Sequence, residues 1–271
     1  DPLVQWLASN AFPGCPNAPE DSATLRLFRQ LEPDNAAADL LQLNRYTACG
    51  DKIRIAATLE QMARGKQFDS HFGTTVQTWL AILAREPAAG ALLHPAGVAS
   101  GQGEAPLTLA LAYATVAAEP DFKPLLAACP DKSNAYAGAC AQIGRTLAYR
   151  SKTAFDRKVG FELLERSGKA TAADAAALRE FHGLITPPGD RTHAAAMGRA
   201  IAEGWRAGGD ELLIMRQAFL AASLSPTPPA NWIDPTGKQQ VLWSAPAPSQ
   251  LPHWNAPAGT QSPQPQDNPK H

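Results

Sequence analysis

From Leu25 to Phe219 the apolar residues of this chain recur three and four positions apart, in an unbroken series of helical stripes. A helix turns once in about 3.6 residues, so such spacing puts the apolar side chains on one face. Phe72, Val76, Trp79, Leu80 and Leu83 make the most regular stripe. Leu109, Tyr113 and Val116 make another, and so do Tyr136, Cys140, Ile143 and Leu147. Phe155, Val159 and Leu163 follow after Ser151, which breaks or bends the chain. Ala177, Phe181 and Leu184, then Ala194, Met197, Ile201 and Trp205, then Leu212, Met215 and Phe219 complete the series. Pro and Gly pairs punctuate it, with Pro187-Pro188-Gly189 the plainest turn. The composition agrees. Alanine supplies much of the apolar content and aromatics only 7% of the chain, which favours helices over sheet faces. The expected fold is all-α: ten to twelve helices in antiparallel hairpins, forming a repeat-like or solenoid array.

The stripes are framed by end signals. A short helix lies around Leu3, Trp6 and Leu7, and Asp21 caps a second that carries Leu25, Phe28 and Leu31. Asp69 or Ser70 starts the helix of Phe72, and Ser133 or Asn134 that of Tyr136. Gly168 ends a helix, and Thr171 with Asp174 has the form of a capping box with Asp in place of Glu. The glycine-rich stretch 87–103 is the softest domain boundary inside a helical body of residues 1–225.

The clearest hairpin runs from Glu32 to Ala63. Asp34 or Asn35 is its N-cap, and Leu40, Leu43 and Thr47 form a stripe widened by Leu41 and Tyr46. Gly50 closes the first helix, Asp51 caps the second, and Ile55, Leu59 and Met62 follow. Pro33-Asp34-Asn35-Ala36, Tyr46 and Gly50-Asp51 stand at the offsets of a tetratricopeptide repeat, which residues 33–63 resemble. The departures are Asp39 at the family's aromatic, Leu43 at its small residue and Ile55 at its second-helix alanine. No second copy follows. The resemblance implies a helix-hairpin packing mode often used to bind other proteins, and no chemistry.

The formal net charge is −1, which argues against nucleic acid as the main ligand. Arg145, Arg150, Lys152, Arg157 and Lys158 form a local basic group, read here as a solvated helix face. No apolar run is long enough to span a membrane. Cys15, Cys49, Cys129 and Cys140 contain no C-x-x-C, and no histidine lies at zinc-ligand spacing from them. Three pairings are open. Chain order favours Cys15–Cys49 and Cys129–Cys140, with four buried thiols as the competing state. Disulfides point to an oxidising compartment, so the expected address is periplasmic or secreted. The start at Asp1 fits a trimmed or processed product whose signal peptide has been removed.

No constellation carries a defensible chemistry, and no cofactor or metal is expected. Asp69-Ser70-His71 are neighbours on a helix start and do not face one another as a triad must. Ser167-Gly168-Lys169 lacks the earlier glycine of a phosphate loop, where Leu163 stands. Gly97, Gly101 and Gly103 follow no strand. His182 and His193 form no ligand pair and read as surface or interfacial. Glu162 and Glu165 lie beside Lys158 and Arg166, as in ordinary helical ion pairs. Two functions stay open. One is a non-enzymatic protein-binding module of the bacterial envelope, either an adaptor or an inhibitor of immunity type. The other is an all-helical enzyme drawing on distant helices, with His71, His94 and His193 as first candidates.

At Pro226 the pattern changes. Residues 226–271 are rich in Pro, Ser, Gln and Asn, yet hold Trp232, Trp243 and Trp254. Disordered segments ordinarily carry few aromatics, so these indoles are read as anchors of an extended tail, or else as a partner-binding motif. Beyond about residue 257 the sequence predicts mobility. Each buried indole removes about 150–250 Å² from water. Truncation after Ser225 is therefore expected to lower the melting temperature. An unchanged melting temperature would instead assign the three tryptophans to a partner.

Overall fold

The computed structural model describes residues 1–10, 23–85, 104–186, 191–229 and Trp232. Within them the chain forms twelve helices and no strand. They are α1 (Pro2–Asn10), α2 (Ala23–Leu31), α3 (Ala37–Cys49), α4 (Lys52–Met62), α5 (Phe72–Arg85) and α6 (Glu104–Ala118). Then come α7 (Lys123–Ala128), α8 (Ala137–Arg150), α9 (Ala154–Arg166), α10 (Ala172–Ile185), α11 (Arg191–Ala207) and α12 (Glu211–Ala221).

Chain neighbours pair as α1 with α2, α3 with α4, α5 with α6, α8 with α9 and α11 with α12. α5 and α6 pack on one another across the 87–103 stretch, which lies outside the described residues. Contacts distant in sequence then tie the pairs together. α1 sits on the end of α6, where Trp6 Nε1 donates to Ala118 O at 3.1 Å and Asn10 donates to Ala117 O. α11 packs on α5 and α6, and α10 on α12. The largest core cluster gathers Trp6, Phe28, Leu40, Leu43, Phe68, Ile143 and Leu163 from both halves of the chain.

Local signals place most ends where expected. Gly50 takes φ +68 and ends α3, and Asp51 Oδ1 accepts from Arg54 N at 3.0 Å to start α4. The Thr171–Asp174 capping box forms with both bonds present. Other readings are corrected. Thr47 is exposed, since the buried face of α3 turns through Leu40, Leu41, Leu43 and Tyr46. α8 begins at Ala137, because Asn134 Oδ1 closes a turn onto Tyr136 N instead of capping the helix. Of the two outcomes open at Ser151 the chain takes the break, between α8 and α9, while Phe155 is 43% exposed instead of continuing the core stripe. In α6 the buried face is Leu107, Ala110, Ala114 and Ala118, whereas Tyr113 and Val116 face outward. α6 lies close to α1, α5 and α11, and alanines allow that approach where larger side chains would not.

Cys129 and Cys140 are bonded, with Cα atoms 5.9 Å apart, and join α7 to α8. Cys49 is also disulfide-bonded, and Cys15 lies outside the described residues. Of the tail, Pro228 is buried against Gly183 of α10, and the Arg179 guanidinium lies 5.9 Å from the Trp232 ring centroid. Trp243 and Trp254 lie outside the described residues.

The closest packing is between α8 and α9, at Gly144 and Gly160. A Cβ added at Gly160 would lie 2.3 Å from Ala148 N and 2.7 Å from Gly144 O, which are backbone atoms that cannot step aside. Gly160→Ala is therefore expected to cost about 1–3 kcal/mol or more through forced separation of the pair. Gly138→Ala in α8 meets nothing within 4 Å. It is expected to stabilise by up to about 1 kcal/mol through helix propensity. Chemical denaturation of both variants checks the contrast.

Candidate functional site

The densest group of ionisable side chains sits where three connections cross: residues 66–71, 151–153 and 208–210. The link 151–153 between α8 and α9 touches both of the others. Ser151 bridges to Phe68 as an isolated parallel pair, and Glu211 N donates to Lys152 O at 2.8 Å. Side chains reinforce the crossing. Ser151 Oγ donates to Asp156 Oδ2 at 2.7 Å, and Asp156 N donates to Thr153 Oγ1. Ala154 N donates to Glu211 Oε2 at 2.7 Å. At the rim, Lys152 pairs with Asp69 and Arg157 with Asp210.

A polar cleft of about 390 Å³ opens above this crossing, walled by Thr74, Gln77, Tyr149, Arg150 and the two ion pairs. Beneath it Asp156 is fully buried. Burial pushes its carboxyl up to about 7, the hydroxyls of Ser151 and Thr153 pull against that, and Asp69 and Glu119 add to the rise. Burial also raises Glu211, opposed by the Ala154 N–H, with Asp210 raising it further. Glu119 is raised by burial and by Glu211. Beside the cleft, the Tyr149 hydroxyl donates a hydrogen bond to Asp174 Oδ1 at 2.6 Å, and burial and that acceptor both raise the phenol. Among the described residues, no three His, Cys, Asp or Glu side chains are placed to hold a metal ion.

The histidines singled out in the sequence occupy different settings. His71 is buried with its ring edge-on to Phe28 at 5.7 Å, and its backbone has φ +54, a conformation side chains other than glycine rarely adopt. Asp69 Oδ1 accepts from His71 N, and Thr75 bonds back to His71 O. Glu32 Oε2 is 3.2 Å from Nε2 but out of line with it, so Nε2 has no aligned hydrogen-bond partner. Asp69, Ser70 and His71 thus form a turn before α5. His182 is buried beside Phe181 rather than at the surface, because α10 is covered by α12. His193 is half-buried on α11, and His94 lies outside the described residues.

The basic group of the sequence does not stay together. Lys152 and Arg157 are paired with carboxylates in the cleft, Arg145 lines a neighbouring groove, Arg150 stands between cleft and groove, and Lys158 is exposed. Sequence reasoning passed over Asp156, Glu119 and Glu211. Thr153 and Asp156 do carry a legible signal, the same Thr-x-x-Asp spacing as Thr171 and Asp174. Nothing local marks the two glutamates as their neighbours.

A second feature is apolar. Trp79 of α5 stacks on Tyr113 of α6 with ring centroids 4.4 Å apart. Ile82 and Val116 continue the strip one turn away on each helix, 43% and 85% exposed, with Tyr113 at 44%. The α5–α6 pair is antiparallel, since the α5 start and the α6 end both lie near Phe28. Ile82 and Val116 therefore flank the stacked rings from opposite ends. A scan of family models and searches of curated proteins and of solved structures found no match to this chain.

The buried junction makes a pH prediction. Asp156 is raised in the fold, so the folded state holds its proton where the unfolded chain has released it. That contribution weakens as pH climbs from the ordinary aspartate range to about 7. The full shift corresponds to on the order of 4 kcal/mol. Asp156→Asn keeps an acceptor for Ser151 and cannot ionise. The variant is expected to match the parent near pH 4 and to be the more stable of the two at pH 8. Paired melting curves at the two pH values check it, and a constant difference would remove Asp156 as the titrating group.

Proposed function

We propose that this protein is a non-enzymatic binding module of the bacterial cell envelope that grips another protein through its α5–α6 hairpin. The exposed Ile82, Tyr113 and Val116, with the half-buried Trp79 stacked beneath Tyr113, are the observation that supports this reading. Packed aromatic rings flanked by aliphatic side chains are the material of interface hot spots, because they bury large area with few rotors to immobilise. α6 could have spent these residues on its own core and spends alanines there instead. The tetratricopeptide-like hairpin at residues 33–63 fits a repeat-like scaffold of the same purpose. The Cys129–Cys140 bond suits an oxidising compartment, and no described helix is long and apolar enough to cross a membrane. Trp232, Trp243 and Trp254 act in this reading as tail anchors, the first of them against Arg179. The role is that of an adaptor or an inhibitor of immunity type.

A second reading, an all-helical enzyme, draws on the polar cleft. Its Lys152 and Arg157 are already paired and Asp156 lies sealed below it, so the cleft serves better as a structural junction.

A photo-crosslinking residue at position 116, with position 158 as an exposed control, tests the binding reading in cells. A discrete heteromeric adduct is expected from 116 alone, and Tyr113→Glu is expected to abolish it. Tyr113→Glu should lower stability by about the 0.5–1.5 kcal/mol of its stack on Trp79, too little to unfold the protein. No adduct, or the same adduct from both positions, would sink the proposal.

A further inference from the structure

Four cations converge on one groove on a separate surface of the molecule. Arg64 and Lys66 follow the end of α4, and Arg145 and Arg150 project from α8. The groove has a volume of about 670 Å³, and no carboxylate lines it. Its two walls are held together by Thr146 Oγ1, which donates to Gly65 O at 3.2 Å, so the backbones that carry the cations are set side by side before any ligand arrives. In a chain of net charge −1, four positive side chains without a lining acid are a local concentration rather than a reflection of composition.

Arg64 and Arg150 have no carboxylate partner among the described residues. Arg145 gives one bond to Lys169 O at 3.3 Å, and its guanidinium has five donors in all. Lys66 pairs with Asp34 at 3.1 Å, but both side chains are mostly in water, where such pairs contribute little and exchange readily. Tyr149 closes one end, its hydroxyl already committed to Asp174. Beyond it the cations of the polar cleft are neutralised by Asp69 and Asp210, so the unpaired charge stops at Arg150.

Placing arginines near the ends of α4 and α8 also complements the helix dipoles. That accounts for one charge per helix end. It does not account for two pairs on a groove that no carboxylate lines, where Asp34 reaches only Lys66 and Asp174 stands behind Tyr149 near Arg145.

We propose that this groove binds two or more phosphate groups at once, on one polyphosphate or on adjacent headgroups. Guanidinium groups match phosphate oxygens with paired, charge-assisted hydrogen bonds, and the room and the number of cations exceed what one phosphate would use. The phosphates come from a soluble polyphosphate compound or from lipid headgroups; the chemistry at the groove is the same.

Calorimetric titration of the full chain with tripolyphosphate at low salt tests the site, with sedimentation on phosphatidylglycerol and phosphatidylcholine vesicles as a second arm. Saturable binding of tripolyphosphate that weakens with salt is expected. Arg64→Ala with Arg150→Ala is expected to weaken it about tenfold or more, because each guanidinium contributes charge-assisted bonds. Arg150→Lys is expected to restore part of it through charge alone. Both arginines are exposed, so the melting temperature should hold. Sedimentation with phosphatidylglycerol alone, lost in the same double variant, assigns the headgroup source, and its absence beside tripolyphosphate binding assigns the soluble one. No binding in either arm, or binding unchanged in the double variant, would overturn the site. Tighter capture of a single-stranded oligonucleotide than of tripolyphosphate would overturn the small-anion assignment.

Discussion

The three residues between α8 and α9 are held from every side, and the arrangement of the molecule depends on that hold. Their backbone pairs with Phe68 and with Glu211, and their hydroxyls converge on the buried Asp156. A short link with several buried polar groups must satisfy all of them internally, since water does not reach them. Doing so brings together loops far apart in sequence. The strict glycine crossing of α8 and α9 fixes the direction in which the link leaves each helix. The buried carboxyl is costly when ionised, and that cost is accepted at the point where the chain has most to coordinate.

A second polar tie works the same way. The buried Asn35 side chain donates to Glu32 and to Asp69 O, and accepts from Ala37 N and Asp69 N. All four of its hydrogen-bonding positions are used. It joins the turn before α3 to the turn before α5, and His71 is left in its left-handed conformation at the end of that second turn. Between them, Asn35 at Asp69 and Ser151 at Phe68 pin the 66–71 connection at two points. Both proposed binding surfaces are mounted on this frame, the apolar strip on the α5–α6 pair and the basic groove between α4 and α8.

The surfaces share a logic. In each, residues that elsewhere would be neutralised or covered are left available: Tyr113 and Val116 on α6 while alanines fill its core face, arginines at a groove while neighbouring cations are paired. Large exposed apolar groups and unpaired charge both carry a solvation or repulsion cost in an isolated domain. Their grouping, rather than their scatter, is what connects them to binding.

Much of this was legible in the chain itself. Helical spacing, the Gly50 stop, the Asp51 cap and the Thr171–Asp174 box are local, because helix ends are decided within a few residues of the backbone they satisfy. The Cys129–Cys140 bond followed from proximity in sequence. What spacing could not decide was which face of an all-apolar helix turns inward. α6 reads equally well through Tyr113 and Val116 or through Ala110 and Ala114, and only the closeness of α1, α5 and α11 selects the alanines. The meeting of Asp156 with Glu119 and Glu211, and of Arg64 with Arg150, also lay beyond the sequence. Those pairs belong to separate connections and helices, and the free energy that joins them comes from packing the whole, not from any segment's own preference.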